Sequence, residues 1–330
     1  MILSAVMVLL GLALLVAGAE ALVRGATAFS RRLGVSPIVA GLTVVAFGTS
    51  TPELAVNLSA AFAGNTALSF GNVVGSNISN VGLILAIAAL VRPLNVSPSV
   101  VNREIPMLLL GTAAANVMAL DRMLDGSAVD HFARVDGIVL LLLFAVFLYY
   151  TIFTALRQRT EGDLYVEELR EEVATQRPQR LGVSLLLAAF GLAGVVVGAR
   201  WTVQNAVPLA KHAGMSDTLI GLTVIAIGTG LPELVTSTLA AWRGHSDLAV
   251  GNVVGSNIYN LLLVMGATAI VKPVNIPKGG HADLLVMVAV TGSLLPLILY
   301  RRRRIGRPGG ALLLTAYVVY VAWRALGSVG

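Results

Sequence analysis

Residues 41–54 read GLTVVAFGTSTPEL, and residues 221–234 repeat this stretch as GLTVIAIGTGLPEL. Two further segments recur in the same order: GNVVGSNISN at 71–80 as GNVVGSNIYN at 251–260, and VRPLN at 91–95 as VKPVN at 271–275. Each matched position is displaced by 180 residues, so the register of the two copies never slips. The chain therefore contains an internal repeat, whose copies are 41–95 and 221–275.

Each copy places one acidic residue, Glu53 or Glu233, directly after a proline in an otherwise apolar run. A charged side chain at the centre of a membrane helix costs on the order of 3 kcal/mol on insertion scales, so such residues are usually functional. Two acids at equivalent positions of a repeat therefore indicate a functional site.

The composition is that of a membrane protein. Of the 330 residues, 56% are hydrophobic and 12% are charged, too few charges to cover a soluble domain of this size. The chain has no cysteine, which excludes disulfides and thiolate chemistry. The net charge of +6 does not indicate a nucleic-acid partner, because the arginines lie in loops between hydrophobic runs, where they set membrane orientation.

Ten apolar runs are long enough to cross about 30 Å of hydrocarbon, five in each half of the chain. They are 2–23, 37–62, 68–91, 99–120, 133–155, 181–206, 217–242, 248–271, 282–300 and 309–327. Because five is odd, the second half must enter the membrane from the opposite side. The predicted fold is an all-α membrane protein with ten transmembrane helices, arranged as two inverted-topology five-helix repeats, 1–156 and 181–330, joined by a linker, 157–180.

Loop charges predict the orientation. Most arginines, including those of 157–180 and 301–307, fall on one side of the ten predicted helices, and the positive-inside rule makes that side cytoplasmic. We therefore expect a multi-pass protein of the plasma (inner) membrane with a cytoplasmic linker and both termini outside.

The GTSTPE motif supplies oxygen ligands. Pro52 has no N–H, so the carbonyl of Gly48 loses its helical partner. Thr49 and Glu53 are four residues apart and share a helix face. Freed carbonyls are tolerated in a membrane only where they face protein or a polar cavity, and they are ligands that Ca²⁺ prefers. The second copy repeats the pattern with Thr229, Pro232 and Glu233.

The GNVVGSNI motif adds neutral oxygens. Gly71 and Gly75 form a small-xxx-small pair that allows close helix packing, as do their counterparts Gly251 and Gly255. The polar pairs of the two copies are Ser76 with Asn80 and Ser256 with Asn260. Their side chains could bond between helices or bind an ion, and we expect both. A cage with two carboxylates matches the charge of one Ca²⁺, and several Na⁺ could occupy overlapping positions.

The doubled motifs resemble the α-repeats of the cation/calcium exchanger superfamily, specifically its prokaryotic Na⁺/Ca²⁺ exchanger branch, and the resemblance covers essentially the whole chain. It implies ten helices, a central site and alternating access, with the first and sixth helices sliding against the rest. It further implies calcium ligands at Thr49, Glu53, Thr229 and Glu233. The implied sodium ligands are these glutamates with Ala46, Ser50, Ser76, Ala226 and Ser256, the alanines through their carbonyls, while Asn80 and Asn260 close the cage.

Two positions depart from the family pattern. Gly230 stands where serine is usual, so one sodium ligand is missing or replaced by water or backbone. Asn260 stands where many relatives have aspartate, which argues against the potassium-dependent branch.

The function expected from the sequence is Na⁺/Ca²⁺ antiport at one central site, without a cofactor. Ca²⁺/H⁺ exchange on the same fold is the close alternative, and a cation channel is another. The chain carries no HExxH motif, no paired aspartates on facing helices and no Ser/His set at a motif, so we predict no enzyme. The expected partners are Ca²⁺, Na⁺, H⁺ under the alternative, and membrane lipid; the oligomeric state is left open.

Overall fold

A computed structural model of the chain describes residues 2–33, 35–124, 126, 129–173, 181–212, 214, 226–300 and 303–327. Its α-helices are α1 (Ile2–Leu33), α2 (Pro37–Ala40), α3 (Ala46–Phe62), α4 (Thr66–Ser79), α5 (Ala86–Val91), α6 (Ile105–Met118), α7 (Asp121–Leu124), α8 (Arg134–Val173), α9 (Leu181–His212), α10 (Ala226–Thr229), α11 (Leu231–Trp242), α12 (Ser246–Ile258), α13 (Met265–Val271), α14 (Gly280–Tyr300) and α15 (Arg307–Gly327). The strands are β1 (Leu94–Asn95), β2 (His131–Phe132), β3 (Val274–Asn275) and β4 (Arg304–Ile305).

Widened π-helical turns join several of these helices into longer ones. They are Gly41–Val45, Asn80–Leu85, Val100–Glu104 and Tyr259–Val264. Such turns are rare and often occur at functional sites, because they loosen the regular backbone bonding of the helix. Two of them begin at or next to the last asparagine of the segments GNVVGSNISN and GNVVGSNIYN, which is Asn80 or Asn260.

Eight helices of the described chain are long and apolar enough to cross a membrane. The expected fourth helix, 99–120, is present as the turn Val100–Glu104 followed by α6. The expected seventh helix, 217–242, lies partly outside the described residues, which resume with α10 and α11. The count of ten helices stays a prediction.

The fifth expected helix is much longer than its apolar run. Helix α8 continues to Val173 and so takes in most of the expected linker 157–180, whose last residues, 174–180, lie outside the described residues. The polar linker therefore extends a membrane helix over most of its length, and the domain boundary at 156 falls inside α8.

The two longest apolar helices, α1 and α9, pack backbone to backbone. A Cβ atom placed on Gly18 would lie 2.6 Å from the nitrogen of Val195, and one placed on Gly191 would overlap the backbone of Leu22. Only glycine permits this approach, as at the small-residue interfaces of other membrane helices. The two helices therefore form one closely packed pair.

Helix α12 lies at the centre of the molecule, and every residue from Leu248 to Ile258 is buried. It packs against α2, α3, α11 and the turn Gly41–Val45. A Cβ on Gly255 would lie 2.7 Å from the Cβ of Ala46, so this glycine sets how closely α12 approaches the first GTSTPE segment.

Short strands tie each copy of the repeat to the other half of the chain. Strand β1, at the end of the first copy, pairs with β4, just before α15. Strand β3, at the end of the second copy, pairs with β2, just before α8. The two copies are thus anchored in equivalent ways.

Candidate metal centre

The two repeated acids are buried inside the helix bundle. Glu53, in α3, is 4% exposed, and Glu233, in the first turn of α11, is 2% exposed. Pro52 lies within α3 and Pro232 lies at the start of α11. Each proline removes one backbone donor in the turn before its acid, so backbone oxygens there are available to a ligand.

The structure brings these acids together. The hydroxyl of Ser50, three residues before Glu53, lies 3.5 Å from Oε1 of Glu233, a contact between the two copies. Like charges repel, so two carboxylates buried in one place must be protonated or matched by a cation.

Several predicted site residues have a buried oxygen without a hydrogen-bond partner among the described residues. These oxygens are Oε2 of Glu53, Oε2 of Glu233, Oγ of Ser256 and Oδ1 of Asn260. A buried polar atom left unsatisfied costs about 1–3 kcal/mol, so native proteins rarely leave several together. Carboxylate, hydroxyl and amide oxygens are the groups that satisfy Ca²⁺ and similar hard cations.

Asn252 contacts a predicted site residue, although it is not itself among the residues predicted from the sequence. The hydroxyl of Thr49 donates to Oδ1 of Asn252 at 3.3 Å, and Nδ2 of Asn252 donates to Ser237 at 2.9 Å. All three residues are fully buried. The signal was present in the sequence, because Asn252, Ser256 and Asn260 follow at intervals of four and so share one helix face.

The predicted cage residue Asn80 links the two copies. Its Nδ2 donates to Oδ1 of Asn257 at 2.9 Å, and Nδ2 of Asn257 donates to the carbonyl of Asn77 at 3.1 Å. Asn57 donates to the carbonyl of Glu53 at 2.7 Å, which fixes the turn that carries the acid. Interhelical hydrogen bonding, one of the two roles expected for these amides, is therefore present for Asn80.

The other predicted residues are placed less uniformly. Ala46 is fully buried, and its carbonyl accepts a 3.4 Å bond from Thr49. Ser76 is half-buried, whereas Thr229 is exposed. Ala226 begins α10, and its side chain lies outside the described part of the structure.

The donor set has a definite chemical character. In the described residues no group of three or more His, Cys, Asp or Glu side chains could hold a metal ion. The centre instead combines two carboxylates with neutral hydroxyl, amide and carbonyl oxygens. This all-oxygen set suits Na⁺ or Ca²⁺ rather than metals that prefer nitrogen or sulfur ligands.

Known proteins similar to this chain include membrane exchangers. The family model of the sodium/calcium exchanger protein matches residues 3–153 and 183–326. The inner membrane protein YrbG of Escherichia coli is 36% identical over 326 residues, 98% of this chain and 97% of that protein. The sodium/calcium exchanger MaX1 of Methanosarcina acetivorans is 31% identical over 336 residues, 95% of this chain and 96% of that protein.

A solved structure has the same fold. The sodium-calcium exchanger NCX_Mj, soaked with 2.5 mM Na⁺ and 0.1 mM Ca²⁺, superimposes with a TM-score of 0.82 at 32% identity, covering 98% of each chain. These matches extend over both copies of the repeat and the helices around them, so the likeness is not confined to the short motifs. This chain, an integral membrane protein that buries one acid from each copy of its repeat in an apolar helix bundle, thus belongs to the sodium/calcium exchanger family. Within the cation/calcium exchanger superfamily it belongs to the prokaryotic branch.

Proposed function

We propose that this chain is a secondary active antiporter that exchanges Na⁺ for Ca²⁺ by alternating access at the centre between Glu53 and Glu233. The observation that supports this most concerns the two buried acids, one from each copy. Each has a carboxylate oxygen without a hydrogen-bond donor among the described residues, and Ser50 of the first copy contacts Glu233 of the second. The relative MaX1 and the structural neighbour NCX_Mj are both named as sodium/calcium exchangers.

In the proposed site calcium is held by Thr49, Glu53, Thr229 and Glu233. Sodium uses the two glutamates with the carbonyls of Ala46 and Ala226 and the hydroxyls of Ser50, Ser76 and Ser256. Asn80 and Asn260 close the cage. The burial of Thr49, Ser50 and Ser256, and the contact of Ser50 with Glu233, support these roles, and Asn252 positions Thr49.

Coupling follows from charge. An empty centre carries two uncompensated negative charges, and occluding it from water is costly. A centre neutralised by one Ca²⁺ or by several Na⁺ can close, so the loaded forms cross between the two access states and the empty form does not. After it releases calcium on one side, the transporter must therefore bind the other ion before it can return, and this couples the two fluxes.

The proposal includes the predicted membrane arrangement: ten helices in two inverted repeats, a cytoplasmic linker and both termini outside. Helices α1 and α9 would move together against the rest. Their backbone-to-backbone packing supports movement as a pair, because separating them would open a tightly packed interface.

Ca²⁺/H⁺ exchange is the second candidate. Gly230 replaces the hydroxyl that Ser50 provides in the first copy, which leaves fewer ligands for sodium. Two repelling carboxylates could also be neutralised by a proton.

Isotope uptake separates the candidates. Purified protein in liposomes is given external ⁴⁵Ca²⁺ with an outward sodium gradient, an outward proton gradient at zero sodium, or no counter-ion gradient. Uptake driven by sodium alone supports the proposal, and uptake driven by protons at zero sodium replaces it with the second candidate. Equal uptake under all three conditions indicates a channel. Glu104→Gln, which changes a half-buried acid in the turn Val100–Glu104, is the control and should transport like the wild type.

A further inference from the structure

A groove on the surface of the protein, on a face expected to contact the membrane, lies between α1 and α11. Its lining residues are Leu12, Ala13, Val16, Ala17, Glu20, Leu239, Trp242 and Arg243. The groove is apolar along α1 from Leu12 to Ala17, a length of roughly 8 Å at 1.5 Å per residue. At one end it becomes charged, with Glu20 and Arg243 facing each other.

The charged end lies where the membrane interface is expected. About 20 residues of helix cross the hydrocarbon core, and α1 is apolar from Ile2 to Ala19 before Glu20 and Arg24 follow. Trp242, which is 59% exposed, marks the same level on α11, since tryptophan favours the headgroup region. The groove thus runs from the hydrocarbon toward the headgroups.

Arginines from separate elements converge at this end. Arg243 makes a two-pronged bond to Glu20, with Nη2 2.8 Å from Oε1 and Nε 3.0 Å from Oε2. Arg24 also donates to Glu20, at 2.6 Å. Arg92, which follows α5, donates to the carbonyl of Trp242 at 3.3 Å. Two guanidinium groups therefore bind one carboxylate and a third binds the neighbouring backbone, so the excess charge is positive.

The arginines keep donors for a further ligand. Nη1 of Arg243 and both terminal nitrogens of Arg24 make no hydrogen bond to the described residues. Their side chains are 43% and 66% exposed. Guanidinium groups of this kind bind phosphate through paired N–H donors.

The pKa of a neighbouring histidine agrees with this concentration of positive charge. Burial and the charges of Arg31, Arg243 and Arg92 lower the pKa of His245. Several arginines thus act at one place on this face.

We propose that this groove binds one anionic phospholipid of the membrane. An acyl chain would lie along Leu12, Val16 and Leu239, and the phosphate would meet Arg243 and Arg24. Charge complementarity selects this occupant, because an uncharged or zwitterionic lipid would use the apolar groove equally well but would gain less from the arginines. The site lies outside the central ion cage and does not depend on which ions the protein exchanges.

Quenching by brominated lipids tests the site. Trp201→Phe and Trp323→Phe in the full-length protein leave Trp242 as the single tryptophan. The protein is placed in liposomes containing brominated phosphatidylglycerol or brominated phosphatidylcholine at equal mole fraction. We expect stronger quenching of Trp242 by the anionic lipid, and a preference that weakens in potassium chloride, which screens charge. Equal quenching by the two lipids would overturn the proposal.

Matched variants separate this site from general surface charge. Arg243→Gln should lower the preference for the anionic lipid about fivefold, since one basic residue near a membrane contributes about that factor. Arg304→Gln removes an exposed arginine of β4 outside the groove and should leave the preference unchanged. An equal loss in both variants would show that only overall charge matters, which would refute a specific site.

The acyl-chain part has its own control. Ala17→Phe fills the groove and should reduce quenching by both lipids, whereas Ala5→Phe, also exposed on α1 but outside the groove, should not. Native mass spectrometry of the protein with its three tryptophans, mixed with the same two lipids, gives a second readout. It should show one retained phosphatidylglycerol, reduced in Arg243→Gln. No retained anionic lipid on the wild type would contradict the proposal.

Discussion

The two copies of the repeat share the same motifs in the same order but are used differently in the structure. In the first copy Thr49 is fully buried and α3 continues through Pro52, whereas in the second Thr229 is exposed and the helix is interrupted at Gly230. The GNVVGSNI segment of the second copy is wholly buried in α12, while in the first copy Gly71 is exposed and Ser76 is half-buried.

The comparison distinguishes the features that both copies share from the features that differ between them. Each copy supplies one buried carboxylate, and in the proposed function a divalent ion requires both charges. The neutral polar residues and the packing around them differ between the copies, and in the proposed function these differences tune which monovalent ion competes and how tightly the helices close. Four predictions test this division, in order of decreasing effect.

The largest effect should come from the acids, and it should be equal in the two copies. Glu53→Gln and Glu233→Gln each remove one of the two charges that hold calcium. Removing one partner of a buried charge pair costs about 3–5 kcal/mol, so calcium transport should fall at least about a hundredfold in either variant. Uptake of ⁴⁵Ca²⁺ measures this against Glu104→Gln. Transport near the wild-type rate in one of the two variants would break the equivalence of the copies.

Packing glycines should behave unequally. In Gly255→Ala the new Cβ would lie 2.7 Å from the Cβ of Ala46 and 3.0 Å from the Cα of Leu42, and overpacking of this kind costs about 1–3 kcal/mol. For Gly75→Ala no described atom lies within 4 Å, so the free energy of unfolding should change little or rise by up to about 1 kcal/mol. Thermal unfolding in detergent compares the two variants. A lower unfolding temperature for Gly75→Ala than for Gly255→Ala would reverse the comparison.

The Ser50/Gly230 difference should set the affinity for sodium. Ser50→Ala removes a hydroxyl beside Glu233, worth about 0.5–1.5 kcal/mol, so sodium should inhibit calcium uptake about two- to tenfold less effectively. Gly230→Ser should strengthen inhibition, since the backbone of Gly230 at φ −86° and ψ 1° is open to serine. Inhibition curves with sodium measure both. If sodium does not compete in any variant, the proton-coupled alternative gains support.

The smallest effect concerns the strand pair that ends the second copy. Near β2, Asp130 accepts bonds from the backbone N–H of Arg122 at 2.8 Å and from His281 at 3.0 Å. The N–H of Arg122, and then the His281 ring, hold the pKa of Asp130 below its usual 3.8. The ionised form therefore stabilises the fold above that value, and this contribution is lost as the pH falls through the lowered pKa.

Comparing Asp130→Asn with the wild type in thermal unfolding at several pH values checks this sign. The variant should be slightly less stable at pH 5 to 7, and the difference should shrink below about pH 4. A gap that widens in acid would show that the structure does not favour the ionised carboxylate.

The membrane class, the family and the pair of acids could be predicted from the sequence, because each depends on local chemistry. Long apolar runs must cross the membrane, and an acid after a proline in such a run needs a functional reason. The repeat itself marked Glu53 and Glu233 as equivalent. The sequence could also have predicted that Asn252 shares a helix face with Ser256 and Asn260, because the three residues stand four positions apart.

Only the tertiary structure decided which residues meet and which helices continue. The bond from Thr49 to Asn252 joins positions 203 residues apart, and no spacing within one helix predicts it. The continuation of α8 to Val173 and the groove with its arginines, one on α1 and the others just after α5 and α11, likewise depend on distant elements. Local sequence determines what each helix must bury, whereas the choice of the neighbour that covers each face is made by packing across the whole bundle.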